Sequence, residues 1–261
     1  MTAAKQIFLR NDDVRDRLDR ELVDLTDLCI KYNVPISHAV EPANVTHDVV
    51  NWLMDVKKQN PGLIEIIQHG YDHNRKPPEE KMEFGGNRSY QDQLDTIRKG
   101  KDLMDKYFGD HWDAVFTFPY GSYNTNTLKA IDKLGYLAIS SKINYSFKNQ
   151  IKNKLGNLLD RDFLLEKKIS YHNKYRKHYG FKEISVSANL IKKYIDVNDA
   201  DHYTKSNILA QIDQSFRFSS VVGILFHHRF HGNHINMIEE LFIELKESYT
   251  FSTIMNLVRL S

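Results

Sequence analysis

Two short segments concentrate groups able to bind a cation and move protons: Asn11-Asp12-Asp13-Val14 and His69-Gly70-Tyr71-Asp72-His73. Adjacent carboxylates repel, so two in a row call for a nearby cation or a shared proton. Two imidazoles with three residues between them can reach one ion. One carboxylate with two imidazoles leaves metal positions open for water and substrate, the donor set of a catalytic rather than a structural centre. The second carboxylate is then available as a base. Each segment also has a plainer reading. Carboxylates cap helix N-termini, worth on the order of 0.5 kcal/mol, and histidines in turns serve as ordinary hydrogen-bonders. What favours a metal site is that both segments follow apolar runs in the same strand–helix series, whose strand ends converge on one face of a barrel.

The elements that must position them follow from periodicity. Ile7-Phe8-Leu9 reads as a first strand and residues 15–32 as a helix, with Leu18, Leu22, Leu25 and Leu28 at three- and four-residue spacing. A second strand over 35–40 ends at Glu41-Pro42, and Thr46 opens a helix stopped by Pro61-Gly62. A third strand over 63–67 carries the histidine segment, and Ser89 begins a long helix closed by Gly109. Strands over 114–118 and 137–140 flank a helix over 125–134. Val221–Phe226 forms a late strand before a helix over 236–247, and the tail holds a further short strand and helix. Repeated βα units of this kind predict an α/β fold. Residues 145–180 break the rhythm as a basic, Tyr-rich insertion, read as a solvated excursion or as a contact for an anionic saccharide. The expectation is one domain over 1–261 carrying that insertion.

Composition bounds the reading without sharpening it. The chain has 261 residues, 41% hydrophobic and 27% charged, with a formal charge of +2. That is an ordinary globular balance, with no global field to draw nucleic acid or a membrane surface. The single cysteine, Cys29, excludes an internal disulfide and a cysteine-rich zinc site, and its place in a helical apolar pattern makes it a core filler. No apolar run is long enough to span a bilayer. The opening residues lack the apolar core of a signal peptide, so a cytoplasmic protein is expected. Oligomeric state is not legible.

Four segments in order resemble the polysaccharide deacetylase family, the NodB-homology enzymes of carbohydrate esterase family 4. They are Asn11-Asp12-Asp13-Val14, His69 to His73, Phe116-Thr117-Phe118-Pro119-Tyr120-Gly121-Ser122-Tyr123-Asn124, and Ile224-Leu225-Phe226-His227. The resemblance implies a distorted, incomplete (β/α) barrel of about seven strands. It implies a metal-dependent hydrolase that removes an N-acetyl or other N-acyl group from an amino sugar of a surface polysaccharide, or of its lipid- or nucleotide-linked precursor. It assigns Asp12 as general base, Asp13, His69 and His73 as metal ligands, and His227 as general acid. The Tyr120 main-chain N–H becomes an oxyanion donor within a substrate-binding Pro119-Tyr120-Gly121 loop. Zinc is the default metal, with cobalt, nickel and iron compatible.

The sequence departs from the family pattern in places. Thr117 stands where many members carry an arginine that orients the catalytic aspartate, which leaves Arg10 or Arg229 to do so. No aspartate-tryptophan motif that would tune the acid histidine is present. Glu41, Tyr71 and Arg229 are further substrate-contact candidates; Tyr71, Tyr120 and Tyr123 are candidates for stacking on a pyranose, and Trp52 and Trp112 read as packing residues. His228, His231 and His234 crowd the last motif, where a second metal is conceivable or His228 and Arg229 tune the acid. Two other functions share these features: a saccharide-binding protein that has lost catalysis, and a non-haem iron oxygenase, whose two-histidine, one-carboxylate ligand set is the same.

Overall fold

The computed structural model describes residues 4–78, 80–143, 179–196 and 199–260, with Tyr145, Ile151, Leu155 and Leu158. Most of the basic insertion at 145–180 therefore lies outside the described residues.

The elements in chain order are β1 (Gln6–Val14), α1 (Arg20–Lys31), β2 (Ile36–Val40), α2 (His47–Gln59), β3 (Ile64–His69), α3 (Tyr90–Phe108), β4 (Val115–Thr117), α4 (Thr125–Lys133), β5 (Ala138–Ser140), β6 (Lys182–Glu183), β7 (Val186–Asn189), β8 (Ile191–Asp196), β9 (Asp199–His202), α5 (Lys205–Phe216), β10 (Val221–Phe226), α6 (Ile235–Ser248), β11 (Thr250–Phe251) and α7 (Ile254–Leu260). Among the described residues one sheet has the hydrogen-bonded order β6-β5-β4-β3-β2-β1-β10-β7, with β11 also on β1. β1 pairs in parallel with β10, β2 and β11, and β3 to β6 pair in parallel in turn. β8 and β9 form a separate antiparallel pair.

The chain divides into two compact units. The first comprises Met1–Val40, Val45–Ile66 and Val186–Ser261. Its core joins Ile7 and Leu9 of β1, Leu25, Leu28 and Cys29 of α1, Ile224 and Phe226 of β10, and Leu241, Phe242 and Leu245 of α6. The second comprises Glu41–Asn44 and Ile67–Ser185. There Phe84, Leu94, Ile97, Phe116, Phe118, Leu128, Ile131 and Tyr136 pack together.

Several expectations shift. The first strand is longer than Ile7–Leu9 and carries Asp12-Asp13 inside it rather than at a turn beyond it. α1 starts later than residue 15, because Asp19 caps it by accepting from Leu22 N; Leu18 lies outside the helix and is 41% exposed. Asp12 and Asp13 are therefore not its caps. Ser89 caps α3 as expected, through Asp92 N. Cys29 is buried and unpaired. The pattern announced no element between 181 and 220, yet β6 to β9 and α5 lie there. β6 has two residues and β7 four, too few to establish a period. α5 did carry a signal: Thr204 as its cap, then Ile208, Ile212 and Phe216 at four-residue spacing.

Candidate active site

β1 delivers its acidic pair by breaking its own regularity. Successive side chains of a regular strand point to opposite faces. The β1–β2 register shifts between Asn11 and Val14, and Asp13 sits in the left-handed region at φ 62°. A bulge of this kind re-aims side chains near functional sites. Asp12 is buried and receives two parallel bonds from Arg10, Nε to Oδ1 and Nη2 to Oδ2, each 2.8 Å. The planar guanidinium matches the carboxylate fork and fixes its orientation. Arg229 instead pairs with Asp16 and Asp19, the latter at 3.2 Å. Of the two candidate cations, Arg10 is the one holding Asp12, and the Arg229 guanidinium is committed elsewhere.

Behind the pair, Asn11 ties strands together. Its Oδ1 accepts from His228 N at 3.0 Å and lies 3.2 Å from His228 Nδ1, while its Nδ2 lies 3.2 Å from His38 Nδ1. Burial pushes His38 down to about 3 and His228 well below its ordinary value, so both remain neutral. His228 is thus a structural residue of this network.

The histidine segment is built by different means. His69 is the last residue of β3 and Gly70 turns the chain at φ 55°. A Cβ at Gly70 would come within 2.3 Å of Pro119 Cγ and 2.5 Å of Glu83 Oε2, so only glycine fits. His73 also has positive φ, 55°. Glu83, fully buried, accepts main-chain N–H bonds from Tyr71, Asp72 and His73 at 2.8, 3.1 and 3.1 Å, and Arg88 holds its carbonyl. Burial pushes this carboxyl up to about 7, against the pull of those N–H donors. No sequence motif pointed to Glu83, which follows Glu79 and Glu80 in a charged stretch.

His69 Nδ1 lies 2.6 Å from Thr117 Oγ1, which donates to the Gln68 carbonyl at 3.1 Å. A hydroxyl has one proton, so Thr117 accepts from Nδ1–H, and Nε2 is the nitrogen with a lone pair for a metal. Thr117, where the family pattern has an arginine, orients a histidine instead.

Tyr120 lies at φ 58° in a tight turn closed by Gly121 N to Phe118 O at 2.9 Å. Its hydroxyl donates to the His73 carbonyl at 2.7 Å, its ring lies 4.4 Å from the His73 ring, and it is 49% exposed. Among the described residues, Asp13, His73 and Tyr120 are three of the five non-glycine residues with positive φ. Such conformations cost about 1–3 kcal/mol each and gather at functional sites.

The decisive distance is among the expected ligands: Asp13, His69 and His73 each offer one atom, and these lie within 4.8 Å of one another. Among the described residues no other cluster of three such donors is found. The four late histidines therefore form no second centre of that kind. His227 follows β10, and its Nδ1 is 3.0 Å from the Tyr194 hydroxyl. Burial, with the charges of Asp12 and Asp13, pushes the Tyr194 phenol well up, so it stays a neutral hydroxyl.

The remaining candidates separate by environment. Glu41 is fully buried and accepts from Asn44 Nδ2 at 2.6 Å, and Asn44 also donates to the Asp72 carbonyl at 2.8 Å. Tyr123 is 4% exposed and stacked on Phe118 at 4.3 Å, so it belongs to the core and cannot serve as a sugar platform. Tyr71 is partly exposed, with its N–H on Glu83. Trp52 packs edge-on to His38, and Trp112 donates to Asp105 beside Tyr136, both in packing roles as expected.

The sequence profile of the polysaccharide deacetylase family matches residues 5–139. The chain belongs to the polysaccharide deacetylase family. Among solved structures, this family member resembles a family 4 acetyl xylan esterase from Clostridium thermocellum in complex with a cobalt ion. They share 15% identity at a TM-score of 0.60, over 98% of this chain and 91% of that one. It resembles a peptidoglycan N-acetylglucosamine deacetylase at 13% identity and a TM-score of 0.58, over 99% and 90% of the two chains. A pseudoenzyme of the same esterase family from Bacillus anthracis is also similar, at 12% identity and a TM-score of 0.58, over 99% and 66%. No curated protein sequence matches. These likenesses establish the fold as the distorted, incomplete (β/α) barrel of the NodB type. No helix among the described residues is long and apolar enough to cross a membrane.

Proposed function

We propose that this deacetylase-family chain is a hydrolase that removes an N-acetyl or other N-acyl group from an amino sugar, within a surface polysaccharide or its lipid- or nucleotide-linked precursor. The observation that carries this reading is the convergence of Asp13, His69 and His73 to within 4.8 Å. Their donor set, one carboxylate oxygen and two imidazole nitrogens, fits a divalent ion of the zinc, cobalt, nickel or iron type. Such an ion, when bound, would polarise the acyl carbonyl and make water a stronger acid.

The side chains divide the remaining work. Asp12 takes the proton of the attacking water, and Arg10 keeps its carboxylate in one orientation while using two of about four acceptor sites. The Tyr120 N–H donates to the oxyanion that develops on the substrate, worth about 3 kcal/mol for a well-aimed donor. An amine leaves poorly until protonated, and His227 supplies that proton. The partly exposed Tyr71 and the exposed Tyr120 offer aromatic faces for the sugar ring, and Pro119 and Gly121 shape the loop against which it lies.

The test is release of acetate or formate from N-acylated saccharides by zinc-loaded protein, beside Asp12→Asn. Turnover lost in the variant supports the reading. Absence of release from every N-acylated saccharide sinks it, and tight sugar binding without turnover would identify the non-catalytic saccharide binder instead. Family membership leaves the oxygenase alternative without support.

A further inference from the structure

The β8–β9 hairpin has no part in the reaction above, yet two of its side chains engage the segment that carries His227. In its register Ile191 faces His202 and Tyr194 faces Ala200. From β8, the Tyr194 hydroxyl reaches His227 Nδ1 at 3.0 Å, and the ring stands edge-on to His227 and to Phe230, with centroids 5.1 and 5.2 Å away. From β9, His202 starts a chain of hydrogen bonds. Its Nδ1 lies 2.9 Å from the Ala200 carbonyl and its Nε2 lies 3.1 Å from His231 Nδ1, while His231 Nε2 accepts from His227 N at 3.2 Å.

Every proton in that chain can be located. A carbonyl only accepts, so His202 Nδ1 carries hydrogen and its Nε2 is an acceptor when neutral. A main-chain N–H only donates, so His231 Nε2 is an acceptor and its hydrogen sits on Nδ1, pointing at His202. All three bonds are satisfied together only by two neutral imidazoles in these tautomers. Burial holds His231 well below its ordinary value, which keeps it in the required form.

We propose that this hairpin is a positioning device for His227, with Tyr194 holding the ring through Nδ1 and His202 holding the main chain through His231. The inference rests on the reading of His227 as the proton donor and adds which ring nitrogen donates. With Nδ1 engaged, Nε2 is the nitrogen that passes the proton. A phenol suits the task because it donates to a bare Nδ1 and accepts from Nδ1–H. When the imidazolium gives up its Nε2 proton, Nδ1 keeps its hydrogen and goes on donating to the Tyr194 oxygen, so the bond survives the transfer.

The experiment uses the full zinc-loaded chain, with Tyr194→Phe retaining the ring and its packing. On an N-acylated oligosaccharide, kcat falls about tenfold while KM stays within about twofold. Independently of activity, ¹⁵N-histidine spectra at pH 8 show the His227 Nδ1 resonance displaced by its hydrogen bond to the Tyr194 hydroxyl, a pattern lost in Tyr194→Phe. His202→Phe weakens turnover, and His202→Gln, which restores an acceptor for His231, recovers it. Unchanged kcat together with an unchanged ¹⁵N pattern in Tyr194→Phe overturns the proposal. A changed ¹⁵N pattern in protein that hydrolyses no N-acyl saccharide upholds the hairpin's hold on His227 and refutes the deacylation reading alone.

Discussion

The segments 69–73 and 227–234 look alike on paper, each a histidine-rich stretch directly after a buried parallel strand. They are built for opposite purposes. In the first, structural work is given to the main chain: Glu83 holds three successive N–H groups, Gly70 makes the turn, and Thr117 takes one nitrogen of His69. The imidazoles of His69 and His73 each bring one ring nitrogen to within 4.8 Å of the other and of an Asp13 oxygen. In the second, the imidazoles themselves do the structural work. His228 is bound by Asn11, His231 lies between His202 and the His227 main chain, and His234 stacks on His202 at 3.7 Å. Counting histidines does not count ligands; what decides is whether another group has relieved them of holding the backbone.

The largest expected effect breaks this contrast outright. His69→Ala removes a proposed ligand and is expected to lower zinc affinity by more than about 100-fold, whereas His231→Ala is expected to leave zinc binding intact and to cost about 1–3 kcal/mol of stability through buried groups left unpaired. Elemental analysis of dialysed protein beside denaturant unfolding separates the two; equal zinc loss in both variants would erase the distinction. Next, Glu83→Ala strands three partly buried N–H donors, so a loss of about 2 kcal/mol or more in unfolding free energy is expected, accompanied by weaker zinc binding. A stable variant with normal affinity would show that the loop holds itself. Thr117→Val keeps shape but frees His69 Nδ1, and a fall in zinc affinity of about 10- to 100-fold, read by competition with a chromogenic chelator, is expected.

The smallest effect concerns the buried, neutral histidines beneath the acidic pair. His38 is pushed down to about 3 from an ordinary value of 6.5 by burial. Above pH 6.5 neither folded nor unfolded chain protonates it, and its contribution to stability is complete. Between 6.5 and about 3 only the unfolded chain binds that proton, so stability declines by about 1.4 kcal/mol per pH unit. His38→Gln removes one proton from this slope, and urea unfolding between pH 7 and 5 reads the difference. An unchanged slope would mean that His38 is already charged in the folded protein.

Much of the framework was legible in the pattern. Apolar runs and caps such as Ser89 located the strands and helices from β1 to β5 and from β10 onward, because burial repeats with the period of each element. The motif residues were legible too, since few side chains bind a divalent cation. What the pattern could not show is that β1 loses its regular register between Asn11 and Val14 and holds Asp13 at positive φ, because that depends on pairing with β2. Glu83, Thr117 and Arg10 gained their partners through folding: a glutamate that accepts from a loop and one that faces water are the same letter. Tyr123 looked like Tyr120 until packing buried one and exposed the other.

By itself, then, the amino-acid order determined an α/β chain, its family, and the residues with the chemistry for a metal-assisted hydrolysis, since those follow from residue type and local periodicity. Only the tertiary structure decided which cation orients Asp12, which nitrogen of His69 is presented, and which histidines are scaffold. Those outcomes depend on contacts between residues far apart in the chain, and local sequence carries no record of them.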